Sequence, residues 1–286
     1  MNRRMIALLL AALFLLCLPG CAKKEYSEGK PKTDLLATTQ PVYQLTCALT
    51  DGTGLSVGLL ISESVSCLHD YTLTVSQMEM IEQSGLVLES GLGLENFMED
   101  VLRGKTRIDI SRNLDTLPGE DGADPHWWLD PMRYKQAAEL AAQELGAQYP
   151  EFADQISENL AAFCEKLSSL QDYGEQALSD LSCRQLVTFH DGFSYFADAF
   201  SLMIAAAMEV ESGSEPSAKE LEEIISIVEE NQIPAVFTEV NGETGAAEVV
   251  AGEAGCAVRT LDMAISNRDY FAAMRQNIDI VKEALG

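Results

Sequence analysis

Residues 151–180, EFADQISENLAAFCEKLSSLQDYGEQALSD, decide the fold. Ile156, Leu160, Phe163, Leu167 and Leu170 recur at alternating steps of four and three, which places one apolar stripe along a helix. At about 1.5 Å per residue, roughly thirty residues reach about 45 Å, longer than a small domain is wide. Such a helix runs the length of the molecule and joins two lobes. A coiled-coil or partner-binding helix is the alternative. Intramolecular packing is favoured because the single stripe is flanked on both sides by α/β patterns.

On either side of it, short apolar runs alternate with amphipathic stretches, the pattern of strands and crossover helices. Strands are expected at residues 43–49, 55–61, 86–88 and 107–110, then at 184–189, 202–208, 235–238 and 257–261. Helices are expected at 75–83, 131–145, 217–231, 245–254 and 269–285. The expected class is α/β, two lobes with parallel sheets flanked by helices and joined by one long rigid helix.

The chain starts with Arg3 and Arg4, an apolar core from Ile6 to Leu16, and Leu18-Pro19-Gly20 before Cys21. This run is too short to span a bilayer and reads as a secretory signal over 1–20. The box resembles that of bacterial lipoproteins, which implies a lipid on Cys21 and an extracytoplasmic body anchored to the membrane. Residues 21–41 then read as a flexible tether, 42–150 as the first lobe, 151–182 as the linking helix and 183–286 as the second lobe.

A formal charge of −26 argues against nucleic acid and anionic headgroups as partners of the body and favours a cationic ligand. It also serves solubility. Of seven cysteines, Cys17 and Cys21 belong to the leader, leaving Cys47, Cys67, Cys164, Cys183 and Cys256. With no Cys-x-x-Cys and no dense spacing, neither a disulfide scaffold nor a thiolate zinc cluster is indicated.

Histidine, the commonest metal ligand near neutral pH, occurs three times: His69, His126 and His190. His190 follows the strand-like Leu186-Val187-Thr188-Phe189, Glu239 closes Ala235-Val236-Phe237-Thr238, and Asp262 follows Val258-Arg259-Thr260-Leu261. In open parallel sheets the carboxyl ends of strands line the ligand crevice. These three polar groups are therefore expected to converge on one edge. His126 lies in Asp124-Pro125-His126-Trp127-Trp128-Leu129-Asp130-Pro131, and His69 in a turn after Val65-Ser66-Cys67-Leu68.

Several ordered segments carry a resemblance: His69-Asp70-Tyr71; Ser84-Gly85-Leu86-Val87 leading to Gly91-Leu92-Gly93-Leu94-Glu95; the block around His126; Val187-Thr188-Phe189-His190-Asp191; Glu215-Pro216-Ser217-Ala218-Lys219-Glu220-Leu221; Val236-Phe237-Thr238-Glu239; and Thr260-Leu261-Asp262. Together they resemble the ZnuA/TroA-like metal-binding lipoproteins, solute-binding components of zinc or manganese ABC importers. The resemblance implies a monomer that captures a divalent metal and delivers it to a membrane permease. It implies metal held between the lobes by His69, His126, His190 and Asp262, with Glu239 close by as a supporting residue. Three imidazoles and one carboxylate suit four-coordinate Zn2+, with Mn2+ as the alternative. Release on docking implies a small lobe shift that withdraws His190 or Asp262.

Two departures from the family pattern stand out. Its usual strand, helix and strand before the first His are reduced here to two strands around Asp51-Gly52-Thr53-Gly54, so the first lobe is expected to be shortened. Residues 117–123 are acidic and contain glycine, where zinc-specific relatives often carry a His-rich loop. The rivals are a secreted zinc hydrolase, with Glu239 or Asp262 as general base, and a surface adhesin. No His-Glu-x-x-His and no serine or cysteine nucleophile motif supports an enzyme.

Overall fold

The computed structural model describes residues 33–62, 71–119, 122–208, 216–240 and 242–286. The leader with Cys21, the segment carrying Cys67 and His69, and Glu215 lie outside these.

The first sheet contains β1 (Thr33–Ala37), β2 (Val57–Leu59), β3 (Ser84–Glu89) and β4 (Arg107–Asp109) in the order β2-β1-β3-β4, with every pair parallel. The second contains β7 (Gln185–Thr188), β8 (Met203–Ala207), β9 (Ala235–Glu239) and β10 (Ala257–Leu261) in the order β10-β9-β7-β8, again all parallel. Read from its own first strand, each sheet repeats one order, second-first-third-fourth. Each therefore has its switch point between first and third strands, β1/β3 and β7/β9, where a crevice opens beyond the carboxyl ends. A short antiparallel hairpin, β5 (Pro118–Gly119) and β6 (Gly122–Ala123), precedes the His126 segment.

Alternation along the strands explains why the central strands of both sheets are buried on both faces. Leu35 and Ala37 of β1 join Leu86 and Leu88 in a central cluster, whereas the intervening Leu36 packs with Val87, Leu60, Ile81 and Leu102 on the far side. The second sheet behaves alike: Leu186 and Phe237 face the central cluster, Val187 and Val236 the opposite one. The central cluster is shared, running without a break from Leu35 in the first sheet to Leu285 near the chain end.

The helices are α1 (Gln40–Leu49), α2 (Val75–Gln83), α3 (Glu99–Leu102), α4 (Pro131–Gln148), α5 (Ala153–Ala177), α6 (Ser194–Ala199), α7 (Ala218–Glu230), α8 (Gly245–Ala254) and α9 (Tyr270–Leu285). Caps set several of their starts. Thr74 and Gln77 form a reciprocal capping box on α2, as do Ser217 and Glu220 on α7, and Asp130 accepts from the backbone of Met132 and Arg133 before Pro131 opens α4. The long helix is α5. Its 25 residues extend about 38 Å, and Ile156, Phe163, Leu167 and Leu170 turn its stripe into the core against α4, α9 and α1. Among the described residues no helix is long and apolar enough to cross a membrane.

The start of the first sheet corrects the sequence reading. Residues 43–49, expected as a strand, belong to helix α1, and its buried Val42, Leu45, Thr46 and Leu49 follow i, i+3, i+4, i+7 spacing. The last part of the expected tether is β1, whose Leu35, Leu36 and Ala37 are fully buried. A strand, a helix and a second strand therefore precede residue 63, and the opening helix is not missing.

Candidate metal centre

Beyond β7 the chain runs Phe189-His190-Asp191-Gly192 into α6. Phe189 extends the ladder by donating its N–H to Phe237 O at 2.8 Å, so His190 leaves the sheet where the pairing ends. His190 is 8 % exposed, and its Nδ1 stands 4.0 Å from Glu239 Oε1 at the end of β9. Gly192 is required there: a Cβ on it would meet Met263 Cε at 2.5 Å and His190 Cδ2 and Nε2 at 2.7 and 2.8 Å. Gly192→Ala is expected to push the imidazole aside and weaken zinc binding about tenfold, by the same logic as loss of a supporting group. A zinc titration matching the unmodified chain would contradict that expectation.

Glu239 is 5 % exposed, and burial pushes its carboxyl up to about 8. Its Oε2 has no hydrogen-bond partner among the described residues. A buried carboxyl with an open acceptor is where a positive charge placed on the neighbouring His190 would repay the desolvation. Gly242 donates to Glu239 O at 3.1 Å and closes the turn over its side chain.

His126 arrives from the first half of the chain. Asp124 Oδ1 accepts from His126 N–H at 2.9 Å and from its Nδ1 at 2.8 Å. A carboxylate only accepts, so Nδ1 carries the proton and the Nε2 lone pair is left for a ligand bond. Behind it, Trp127 donates to Ser90 O at 3.0 Å beyond β3, and Trp128 donates to Met263 O at 2.8 Å beyond β10. The two imidazoles meet: the His126 and His190 ring centroids lie 5.3 Å apart at 81°, with Trp128 edge-on to His126 at 5.5 Å.

Asp262 follows β10 beside Glu239's strand, in the expected place and 5 % exposed. Its carboxylate is engaged by its own turn: Oδ1 accepts from Ala264 N–H at 2.8 Å, while Oδ2 accepts from Ser266 Oγ at 3.3 Å and lies 3.9 Å from Arg268 Nη1. Asn277 pins the backbone by accepting from Asp262 N–H and donating to Asp262 O. The structure thus brings His126 against His190, places Glu239 beside His190 and sets Asp262 at the same edge. His69 lies outside the described residues. Among the described residues no group of three or more His, Cys, Asp or Glu converges closely enough to hold a metal ion.

Two groups that the sequence reading gave no role stand at this centre. Asp124 orients His126. Asp191 is exposed at the rim, and partial desolvation first, then the charge of Asp124, raises its carboxyl above the usual range while His126 pulls it down. Both were in the quoted motifs, but neither spacing nor residue type set them apart from the turn residues beside them.

Comparison with known proteins places this architecture. The model of the ZnuA family, zinc-uptake complex component A, periplasmic, matches residues 35–284. The chain belongs to this family. It is 28% identical to the zinc-binding lipoprotein AdcA of Streptococcus pneumoniae, across 97% of this chain and 60% of that protein. The chain therefore spans about three-fifths of that relative's length. The structure of the Zn(II)-bound ZnuA-like domain of Streptococcus pneumoniae AdcA superposes with a TM-score of 0.77 at 27% identity, over 89% of this chain and 99% of that one. A zinc-bound ZnuA deletion mutant gives 0.80 at 29% identity, over 89% and 98%. The ZnuA fold accounts for two parallel sheets flanked by helices with one long helix between them.

Proposed function

We propose that this chain captures one Zn2+ ion outside the membrane and delivers it to an ABC permease, as a monomer held to the cell surface by a lipid on Cys21. The observation that carries this reading is the meeting of His126 and His190, which come from different halves of the chain and lie 5.3 Å apart, one with its Nδ1 occupied by Asp124. The zinc-binding relatives named above support the choice of metal. In this reading His69 is the third imidazole, Asp262 supplies the carboxylate through Oδ2, and Glu239 sits behind His190. The chain acts as a carrier and not as an enzyme. We divide it into lobes 42–150 and 183–286 about the helix 151–182, the first lobe also taking in β1 and the start of α1.

The shared central core limits how far the lobes can part, so release is a local withdrawal of His190 or Asp262 rather than a wide hinge opening. Because protonated imidazoles do not ligate, affinity falls as the medium acidifies.

The test is a competitive titration of chelator-stripped protein with zinc and manganese, followed by elemental analysis and tryptophan emission from the Trp127–Trp128 pair beside His126. One zinc per chain, retained in the presence of manganese, is the expected result. Preferential retention of manganese overturns the choice of metal, and retention of neither metal overturns the whole reading.

A further inference from the structure

The hairpin before His126 has an unusual final rung. Pro118 pairs with Ala123 and Gly119 with Gly122, so Leu117 stands opposite Asp124. Asp124 N–H donates to Leu117 O at 2.9 Å, which makes this a hydrogen-bonded pair that should exchange two bonds. The return bond is replaced by a side chain. Leu117 N–H donates to the Tyr195 hydroxyl at 3.0 Å, and that hydroxyl donates to Asp124 O at 2.9 Å. The phenol oxygen is thus inserted into the rung, using its one donor and one acceptor function on the two groups a plain hairpin would have joined.

Tyr195 belongs to α6, five residues after His190 in sequence, and its side chain is fully buried. Arg133 of α4 lies over its ring, 4.9 Å from the centroid, and pairs with Asp198 of α6 at 2.7 Å while its Nε donates to Asp115 O at 2.8 Å. The rung fixes the Asp124 backbone, the Asp124 carboxylate fixes the His126 ring, and the segment that carries Tyr195 is the one that carries His190. The two imidazoles are therefore registered against each other by a bridge that touches neither.

We propose, building on the metal-carrier reading, that Tyr195 is a positioning residue that holds His126 against His190 and thereby sets how long the metal stays bound. Removing the hydroxyl strands the Leu117 N–H and Asp124 O and frees the hairpin end to close on itself, moving Asp124 and, with it, His126.

The test uses the full chain. In Tyr195→Phe, zinc dissociation into excess chelator is expected to accelerate about 10- to 100-fold, the usual effect of losing a group that supports a metal ligand. Tyr173→Phe is the control: it deletes the Tyr173–Asp279 hydrogen bond on the exposed side of α5 and should leave the dissociation rate unchanged at a comparable melting temperature. A rate in Tyr195→Phe within twofold of the unmodified chain overturns the proposal, as does equal acceleration in the control, which marks a purely structural role. If the unmodified chain retains no zinc, it is the carrier reading that fails. Should Tyr195→Phe not fold, Asp198→Asn releases one end of the Arg133 clamp and is expected to accelerate dissociation about threefold, the scale of one exposed ion pair; no change there overturns the proposal.

Discussion

Alanine at His126 or at His190 is expected to raise the zinc dissociation constant by more than about a hundredfold, since losing a group that merely supports a ligand already costs 10- to 100-fold. Each variant leaves at most three protein donors for a metal that prefers four. The two substitutions should combine to much less than the product of their separate effects, because both imidazoles serve one ion. The metal-free fold should change little by comparison, as His190 packs at a strand end rather than within the central cluster. The clearest readout is the rise in melting temperature on adding zinc: excess ligand at about 100 times its dissociation constant stabilises by about 2.7 kcal/mol, and both variants should lose that rise. A variant that still melts higher with zinc would remove its histidine from the ligand set.

Much of this centre was legible because strand ends advertise themselves. A run of three apolar residues and a threonine before His190, another before Glu239 and a β-rich run before Asp262 are strand signals, and the carboxyl-edge rule then gathers them. Helices α2 and α8 have the bounds that the sequence predicts, since a cap or glycine marks each start. The misreading of α1 has a physical cause. Tyr43 and Thr46 favour strands by composition, but Pro41 at the helix start and the 3.6-residue spacing of the buried positions prevailed once α1 could pack on β1. β1 itself was concealed by brevity, with only Leu35, Leu36 and Ala37 apolar amid polar neighbours. Tyr195 was beyond sequence reading altogether. Its phenol looks like one more apolar position in residues 193–200, and its role exists only because the hairpin is placed against α6.

Glu95→Ala is expected to lower unfolding free energy by about 4 kcal/mol at pH 5, because three donors lose their acceptor in a buried site. Glu95 lies beyond β1 and β3: Thr38 Oγ1 and Ser90 N–H donate to its Oε1, each at 2.7 Å, and Gly91 N–H donates to its Oε2 at 3.0 Å. The same Ser90 offers its carbonyl to Trp127, so this carboxyl also anchors the wall behind His126. Burial, opposed by those donors, pushes the carboxyl up to about 7 from its ordinary 4.5. Between those two values the native chain binds the proton and the unfolded chain does not, so the contribution of Glu95 to stability grows as pH falls from about 7 to 4.5 and is absent above about 7. From pH 8 to pH 5 that gain amounts to about 2–3 kcal/mol. The alanine variant lacks it, and its deficit should accordingly shrink by that amount at pH 8. Urea unfolding of the two metal-free chains at both pH values checks the sign as well as the size, and a deficit that does not depend on pH would mean that Glu95 is already ionised at pH 5 inside the fold.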